Sequence, residues 1–296
     1  MNKIAVILVC LFLALCFSSC GEERWEDYTY PSNIIIPGYG TLKYTGTLWD
    51  GSDSGTVIHN AIEVDNDIWI HGGGNIVYKG INKSAAIYIW EGGVIRRSLM
   101  KKGHYVLLFL EVRKDENDSE NKYYITRIHK DTLHTEYMEI TGGEANWERS
   151  PDIYYYDGDV FFHDRHSDYY YVLNDDCDGL IEIDEETFDA SYFPDRDPSI
   201  GYDKGYYYFA NLIVDGKGRY YRSLNVFHDE MGVSVDSGKT WYYADMGTND
   251  LKCIIIQNDT VYAFCSEYTS WSSGVWSPNS REIGGGIHIF QWLDYN

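Results

Sequence analysis

An all-β body is what this sequence predicts, on three observations. Aromatic residues make up 16% of the chain, with 28 Tyr against only 6 Pro, a composition suited to pleated strands and turns. Apolar residues come in runs of four to eight, rich in Val, Ile, Tyr, Phe and Trp and bounded by Gly, Asp and Asn, with no sustained helical period. One short unit, a turn residue followed by an aromatic-aliphatic strand, also recurs along the chain.

The unit appears as Asn66-Asp67-Ile68-Trp69-Ile70, Gly103-His104-Tyr105-Val106-Leu107, Gly158-Asp159-Val160-Phe161-Phe162, Lys204-Gly205-Tyr206-Tyr207-Tyr208 and Asp259-Thr260-Val261-Tyr262. From Asp67 to Asp259 the interval averages about 48 residues, the length one four-stranded propeller blade consumes. A second alignment sets Ile125–Leu133 against Leu180–Phe188, so that Ile128 matches Ile183 and Thr132 matches Thr187. Each copy has an apolar face that it cannot bury alone, so copies must stack, and closing them into a ring hides the sheet edges. The expectation is a β-propeller of five or six four-stranded blades; a β-sandwich is the alternative. Thr41–Leu48 and Thr56–Val64 are expected to complete the ring with the last strands near Ile287–Trp292.

Within this pattern, Ser234-Val235-Asp236-Ser237-Gly238-Lys239-Thr240-Trp241 is similar to the Asp-box, Ser-x-Asp-x-Gly-x-Thr-Trp, also called the BNR repeat, of sialidases and related propellers. Ser234, Asp236, Gly238, Thr240 and Trp241 are the matching positions. Such a segment staples a hairpin: the carboxylate accepts backbone N–H groups of its own turn, the glycine takes a positive φ, and the tryptophan packs under the sheet. The resemblance implies a sialidase-like propeller with a structural Asp-box. Active members also carry an early Arg-Ile-Pro segment and an arginine triad. Here Ile35-Ile36-Pro37 puts isoleucine where the arginine belongs, which removes a bidentate carboxylate clamp. No catalytic residues are assigned.

Other groupings carry weaker chemistry. Asn174 to Glu185 matches a twelve-residue calcium loop, with Asn174, Asp176 and Asp178 as oxygen donors and Glu182 or Glu185 closing the shell. The flanks read as strands, so a hairpin turn competes with calcium as the explanation. His71 and His163 each stand four residues after the aspartate of their repeat unit and so share a direction, which makes them ligand candidates against a reading as solitary strand-end residues. The triplets Tyr154–Tyr156, Tyr169–Tyr171 and Tyr206–Tyr208, with Trp271 and Trp276, suggest sugar stacking, although alternate tyrosines of one strand point to opposite faces and some must be core.

The chain opens with Lys3 and an uncharged apolar run from Ile4 to Phe17, shorter than the roughly 20 residues a membrane-crossing helix needs. Phe17-Ser18-Ser19-Cys20 resembles the lipobox of bacterial lipoproteins, in which the cysteine is acylated and becomes the mature amino terminus. The acidic Gly21-Glu22-Glu23 that follows is similar to an export signal for the outer face of the outer membrane. Residues 1–19 are thus expected to be a signal peptide, 20–35 a lipidated tether and 36–296 the propeller, with the lipid on Cys20 holding the protein to the outer membrane at the cell surface. Loss of Lys3 leaves 23 basic against 46 acidic residues, a net charge of −23 that excludes nucleic acid as a partner.

Of the remaining cysteines, Cys253 and Cys265 lie on facing arms of one hairpin and are a candidate disulfide, which a shift of one residue in register would forbid. Functionally, the sequence points to a surface lipoprotein that binds glycans or a partner protein without catalysis, with a divergent glycoside hydrolase of the sialidase-like group as the alternative. Carboxylates converging in the central funnel would mark the enzyme. An aromatic platform without them would mark the binding module.

Overall fold

The computed structural model describes residues 31–49, 58–73, 75–90, 94–112, 122–140, 151–156, 158–164, 169–192, 213–224, 230–246, 249–267 and 286–294. These residues form five antiparallel sheets arranged as the blades of a propeller. Blade 1 holds β3 (Ile58–Val64), β4 (Asp67–Gly72), β5 (Ile76–Lys79) and β6 (Ala85–Tyr88). Blade 2 holds β7 (Val94–Lys102), β8 (Tyr105–Val112), β9 (Lys122–His129) and β10 (Thr135–Glu139). Blade 3 holds β11 (Asp152–Tyr156), β12 (Asp159–Asp164), β13 (Tyr169–Leu173) and β14 (Leu180–Ile183), followed by α1 (Glu185–Tyr192). Blade 4 holds β15 (Ile213–Val214), β16 (Tyr220–Leu224), β17 (Glu230–Ser234) and β18 (Tyr242–Asp245).

Blade 5 closes the ring from both ends of the chain. Its order is β19 (Asn249–Gln257), β20 (Thr260–Glu267), β21 (Gly286–Asp294), then β2 (Gly40–Leu48) and β1 (Ile34–Ile36) at the outer edge. Of the two early segments expected to close the ring, Thr41–Leu48 pairs with the last strand, with Leu42 opposite Trp292 and Leu48 opposite Ile287, whereas Ile58–Val64 of the other is the first strand of blade 1. β1 starts at Ile34, inside the stretch expected as tether. The first strands of neighbouring blades adjoin, β3 lying between β19 and β7, and so surround the axis.

Turn chemistry sets the strand boundaries. Asp65-Asn66 and Asn258-Asp259 each have positive φ at both residues, the geometry of two-residue hairpins whose twist matches the strands they join. Gly103 and Gly158 do the same work in blades 2 and 3. Four of the five repeat units therefore mark second strands. The fourth unit, Lys204–Tyr208, lies outside the described residues, and the second strand of blade 4 follows a later turn at Asp215–Arg219.

The second strands β4, β8 and β20 are apolar on both faces because a blade lies on each side. Val106, Leu108 and Leu110 of β8 join a cluster with Trp69 and Val77 of blade 1, while Leu107 and Phe109 join Val160, Phe162 and Tyr171 of blade 3. Blade 5 packs on blade 1 through Cys253, Phe264 and Ile287 against Ile58, Ile68 and Ile70. It packs on blade 4 through Leu42, Val261 and Phe290 against Tyr221, Met231 and Val233. The far face of blade 3 is covered by Phe188 of α1, against Tyr154 and Phe161. Tyr170 and Tyr171 fall in different clusters, as alternation along the strand requires, and Tyr171 and Tyr154 are buried in the core.

Two expectations fail here. The match of Ile125–Leu133 with Leu180–Phe188 is not structural: the first is the third strand of blade 2, whereas the second is the fourth strand of blade 3 running into a helix. Asp184 caps that helix by accepting the Thr187 N–H at 2.6 Å, and Glu185-Glu186 favour its N-terminal dipole. The disulfide also fails. Between Leu251 and Cys253 the register slips by one residue, so Cys265 opposes Leu251 and Cys253 opposes Phe264. The two thiols then lie on opposite faces of the blade, and Cys177, Cys253 and Cys265 are all buried without a disulfide.

Candidate functional site

A cavity of about 600 Å³ opens on the axis where β3, β15 and β19 meet, on the face that carries the first-to-second-strand turns. Its lining joins aliphatic residues of the three strands to the charged Glu63, Asp215, Lys217, Arg219 and Asp259. Asp215 builds the turn below it: one carboxylate oxygen accepts the N–H groups of Lys217 at 2.9 Å and Arg219 at 3.0 Å. The other oxygen takes the Arg219 Nε and, at 3.0 Å, the Tyr221 hydroxyl. Arg219, 2% exposed, reaches across to Asp259 of blade 5 at 2.6 Å and stacks over Trp292, whose indole N–H donates to the Tyr221 hydroxyl at 2.8 Å. Lys217 adds a second cation to Asp259 at 2.8 Å.

The electrostatics follow. Burial opposes the charge on Asp215, yet the Arg219 and Lys217 hydrogen bonds outweigh it and hold the carboxyl below its ordinary range. Lys217 and Arg219 likewise lower Asp259. Burial pushes the Tyr221 phenol up. Both aspartates are therefore ionised and occupied near neutral pH, and Glu63 accepts Gln257 Nε2 at 3.1 Å.

Equivalent staples run round this face. Lys102, 6% exposed, binds Asp159 at 2.6 Å and Asp175 at 3.5 Å across the blade 2–3 boundary. Asp65 of blade 1 receives Lys101 at 3.2 Å and Lys130, both from blade 2. Gln257 also donates to the Asn66 carbonyl at 2.9 Å, joining blade 5 to blade 1. Asn66, Asp159 and Asp259 stand in the repeat units, but nothing in that pattern singled out their partners Lys102, Lys217 and Arg219; for the last two the Asp-Gly-Lys-Gly-Arg string at 215–219 was the available signal.

The opposite ends of the strands carry histidines instead. His59 is the extra residue of a bulge between Ile58 and Asn60, and its ring lies 4.7 Å from that of His71. His71 is 4% exposed, with neither ring nitrogen hydrogen-bonded, and burial with the neighbouring His59 drops it to about 3. His163 occupies the matching place in blade 3 but stacks on Tyr170 of its own blade at 4.4 Å. The two candidate ligand histidines thus share a register position and have separate partners. His288, fully buried, bonds Thr47 Oγ1 through Nδ1 at 2.7 Å and is held down to about 4 by desolvation.

The Ser234–Trp241 segment joins β17 to β18. Asp236 Oδ1 accepts the Thr240 N–H at 2.8 Å and bonds Ser234 Oγ at 2.8 Å, while Ser234 Oγ also accepts the Gly238 N–H at 2.9 Å. Gly238 has φ +81° and sits under the Trp241 ring. Those bonds drive the Asp236 carboxyl to about 2.

At 174–185 the chain forms the hairpin turn that competed with calcium as the explanation. Asn174 donates to Asp178 at 2.7 Å and accepts the N–H groups of Asp178 and Gly179, closing the hairpin turn on itself. Glu182 lies on β14 and Glu185 opens α1. Among the described residues no three His, Cys, Asp or Glu side chains are gathered to hold a metal. Cys20, Trp271 and Trp276 lie outside the described residues.

No protein-family model matches the chain, and no curated protein does. Among solved structures, it is similar to BamB from Moraxella catarrhalis at 10% identity, covering 89% of this chain and 70% of that one with a TM-score of 0.28. It is also similar to a streptogramin B lyase at 13% identity, covering 89% of each chain with a TM-score of 0.31. At that depth of overlap, the fold rests on the chain's own sheet order.

Proposed function

We propose that this chain is a lipid-anchored propeller of the outer membrane, displayed at the cell surface, that docks glycans or a partner protein without catalysis. One observation carries the reading. At the axial cavity Asp215 and Asp259 are bound by Arg219 and Lys217 and held ionised, so neither is suited to donate a proton to a leaving group. The bond pattern of Ser234–Trp241 supports its reading as an Asp-box that braces a hairpin. Phe17-Ser18-Ser19-Cys20 and Glu22-Glu23 support the anchor and its destination.

Incubating the protein with a glycan panel, and scoring both retained glycan and released sugar, tests the function. Retention without release is expected. Free sugar that disappears on replacing Glu63, Asp215 and Asp259 by their amides would establish a divergent glycoside hydrolase instead. For the anchor, labelled palmitate should enter the wild-type chain and not Cys20→Ala; equal labelling of both would remove the lipoprotein assignment.

A further inference from the structure

We propose that Trp90 and Tyr137, at the rim between blades 1 and 2, form a platform for an uncharged sugar ring. The inference rests on the glycan branch of the function proposed above and names the place and the ligand class.

The chain leaves β6 with Ile89 buried in the cluster between blades 1 and 2, its N–H bonded to the Asn75 carbonyl at 2.9 Å. Trp90, the next residue, turns outward and is 46% exposed. Both of its backbone polar groups are held: the N–H donates to the Tyr137 hydroxyl at 3.1 Å and the carbonyl accepts Asn75 Nδ2 at 3.4 Å. Two rings of blade 2 buttress the indole. Tyr124 stands 5.7 Å away at 77° and Tyr137 stands 6.2 Å away at 73°, both edge-on. Two rings thus hold the indole in place while nearly half of the residue faces solvent. An aromatic face immobilised before the ligand arrives loses little conformational freedom on binding.

The surroundings suit hydroxyl groups. Glu139 lies opposite Tyr124 in the β9–β10 ladder and accepts its hydroxyl at 3.4 Å, while its other oxygen pairs with Lys122 at 2.8 Å. Tyr137 itself is 41% exposed. The Tyr124 phenol, the Glu139 carboxylate and the Lys122 ammonium thus form one polar chain beside the Trp90 and Tyr137 rings, with the Asn75 carboxamide on the Trp90 carbonyl. A sugar presents a flat C–H face to the ring and hydroxyls to such a rim. A protein partner held by apolar contact would need a far wider continuous patch. The sign of the whole chain selects within sugars: a net charge of −22 repels carboxylated and sulfated rings and leaves neutral ones free to approach.

The test uses the folded mature protein with a panel of neutral oligosaccharides of glucose, mannose, galactose and N-acetylglucosamine, beside sialylated and sulfated ones. Retention of a neutral member is expected, weakened at least tenfold in Trp90→Ala and less in Trp90→Phe. In the wild-type protein the same oligosaccharide should protect Trp90 from oxidation mapped by mass spectrometry, a readout that stands even if Trp90→Ala fails to fold. A glycan bound equally by wild type and Trp90→Ala, with Trp90 unprotected, overturns this site and leaves the glycan reading standing. Failure of every glycan to bind overturns both. Preference for the anionic members overturns the ligand class.

Discussion

The two faces of this propeller solve one problem, the burial of polar side chains between blades, in opposite ways. On the turn face, Arg219 and Lys102 are buried as cations and matched by Asp215, Asp259, Asp159 and Asp175. At the other ends of the strands, His71 and His288 are buried as neutral rings and answer burial by losing basicity. Matched charges keep their state across the physiological range. Neutral histidines keep theirs only while the solvent is not acidic enough to charge them, so the two faces should fail under different conditions.

Removing one member of a matched pair should have the largest effect. Arg219→Met leaves the Asp215 carboxylate, 5% exposed, without its cation, and should cost about 3–5 kcal/mol in urea unfolding. Adding Asp215→Asn, which removes the unpaired charge and keeps an acceptor for the turn N–H groups, should recover part of that loss. A single substitution costing under about 1 kcal/mol would mean that the pair is not what secures this face.

Acid should then expose the histidines. Each has a folded value depressed below its unfolded 6.5, so the unfolded chain binds more protons and stability falls as pH drops from 6.5 towards the folded value. Between pH 7 and pH 5 each should cost about 2 kcal/mol, and His71→Leu should remove its share of that slope. The lowered carboxyls of Asp215 and Asp259 act in a separate window, losing their contribution only as pH falls through their unfolded value near 3.8. A stability profile with one step below pH 4 and none between 6.5 and 4 would erase the distinction between the faces.

How far each face could be read from the sequence follows from the same geometry. β4, β8, β12 and β20 were legible because each follows a turn residue that must take positive φ and then runs apolar on both sides. β16 was missed because Arg222 and Ser223 interrupt its apolar run, although Asp215 and Gly218 announce its turn. The cap of α1 was equally visible in Asp184-Glu185-Glu186 and was absorbed into a false strand match. What could not be read is the pairing that depends on single-residue insertions. The bulge at His59 brings its ring to His71, and the slip at Lys252 separates Cys253 from Cys265; neither leaves a mark on periodicity over so few residues.

Two smaller effects sharpen the contrast within the turn face itself. Gly238→Ala forces a side chain into φ +81°, and should cost about 1 kcal/mol, whereas Gly216→Ala meets nothing within 4 Å and should be neutral or slightly stabilising. Equal effects at the two sites would show that the Ser234–Trp241 turn is no more constrained than its neighbour. Smallest of all is the response to reductant. With Cys253 and Cys265 on opposite faces of one sheet, dithiothreitol should leave Tm unchanged and all three buried thiols should titrate once the chain is denatured. A fall in Tm on reduction would mean that the bulge at Lys252 does not persist in solution, and with it would go the register that sets Lys252 beside His59.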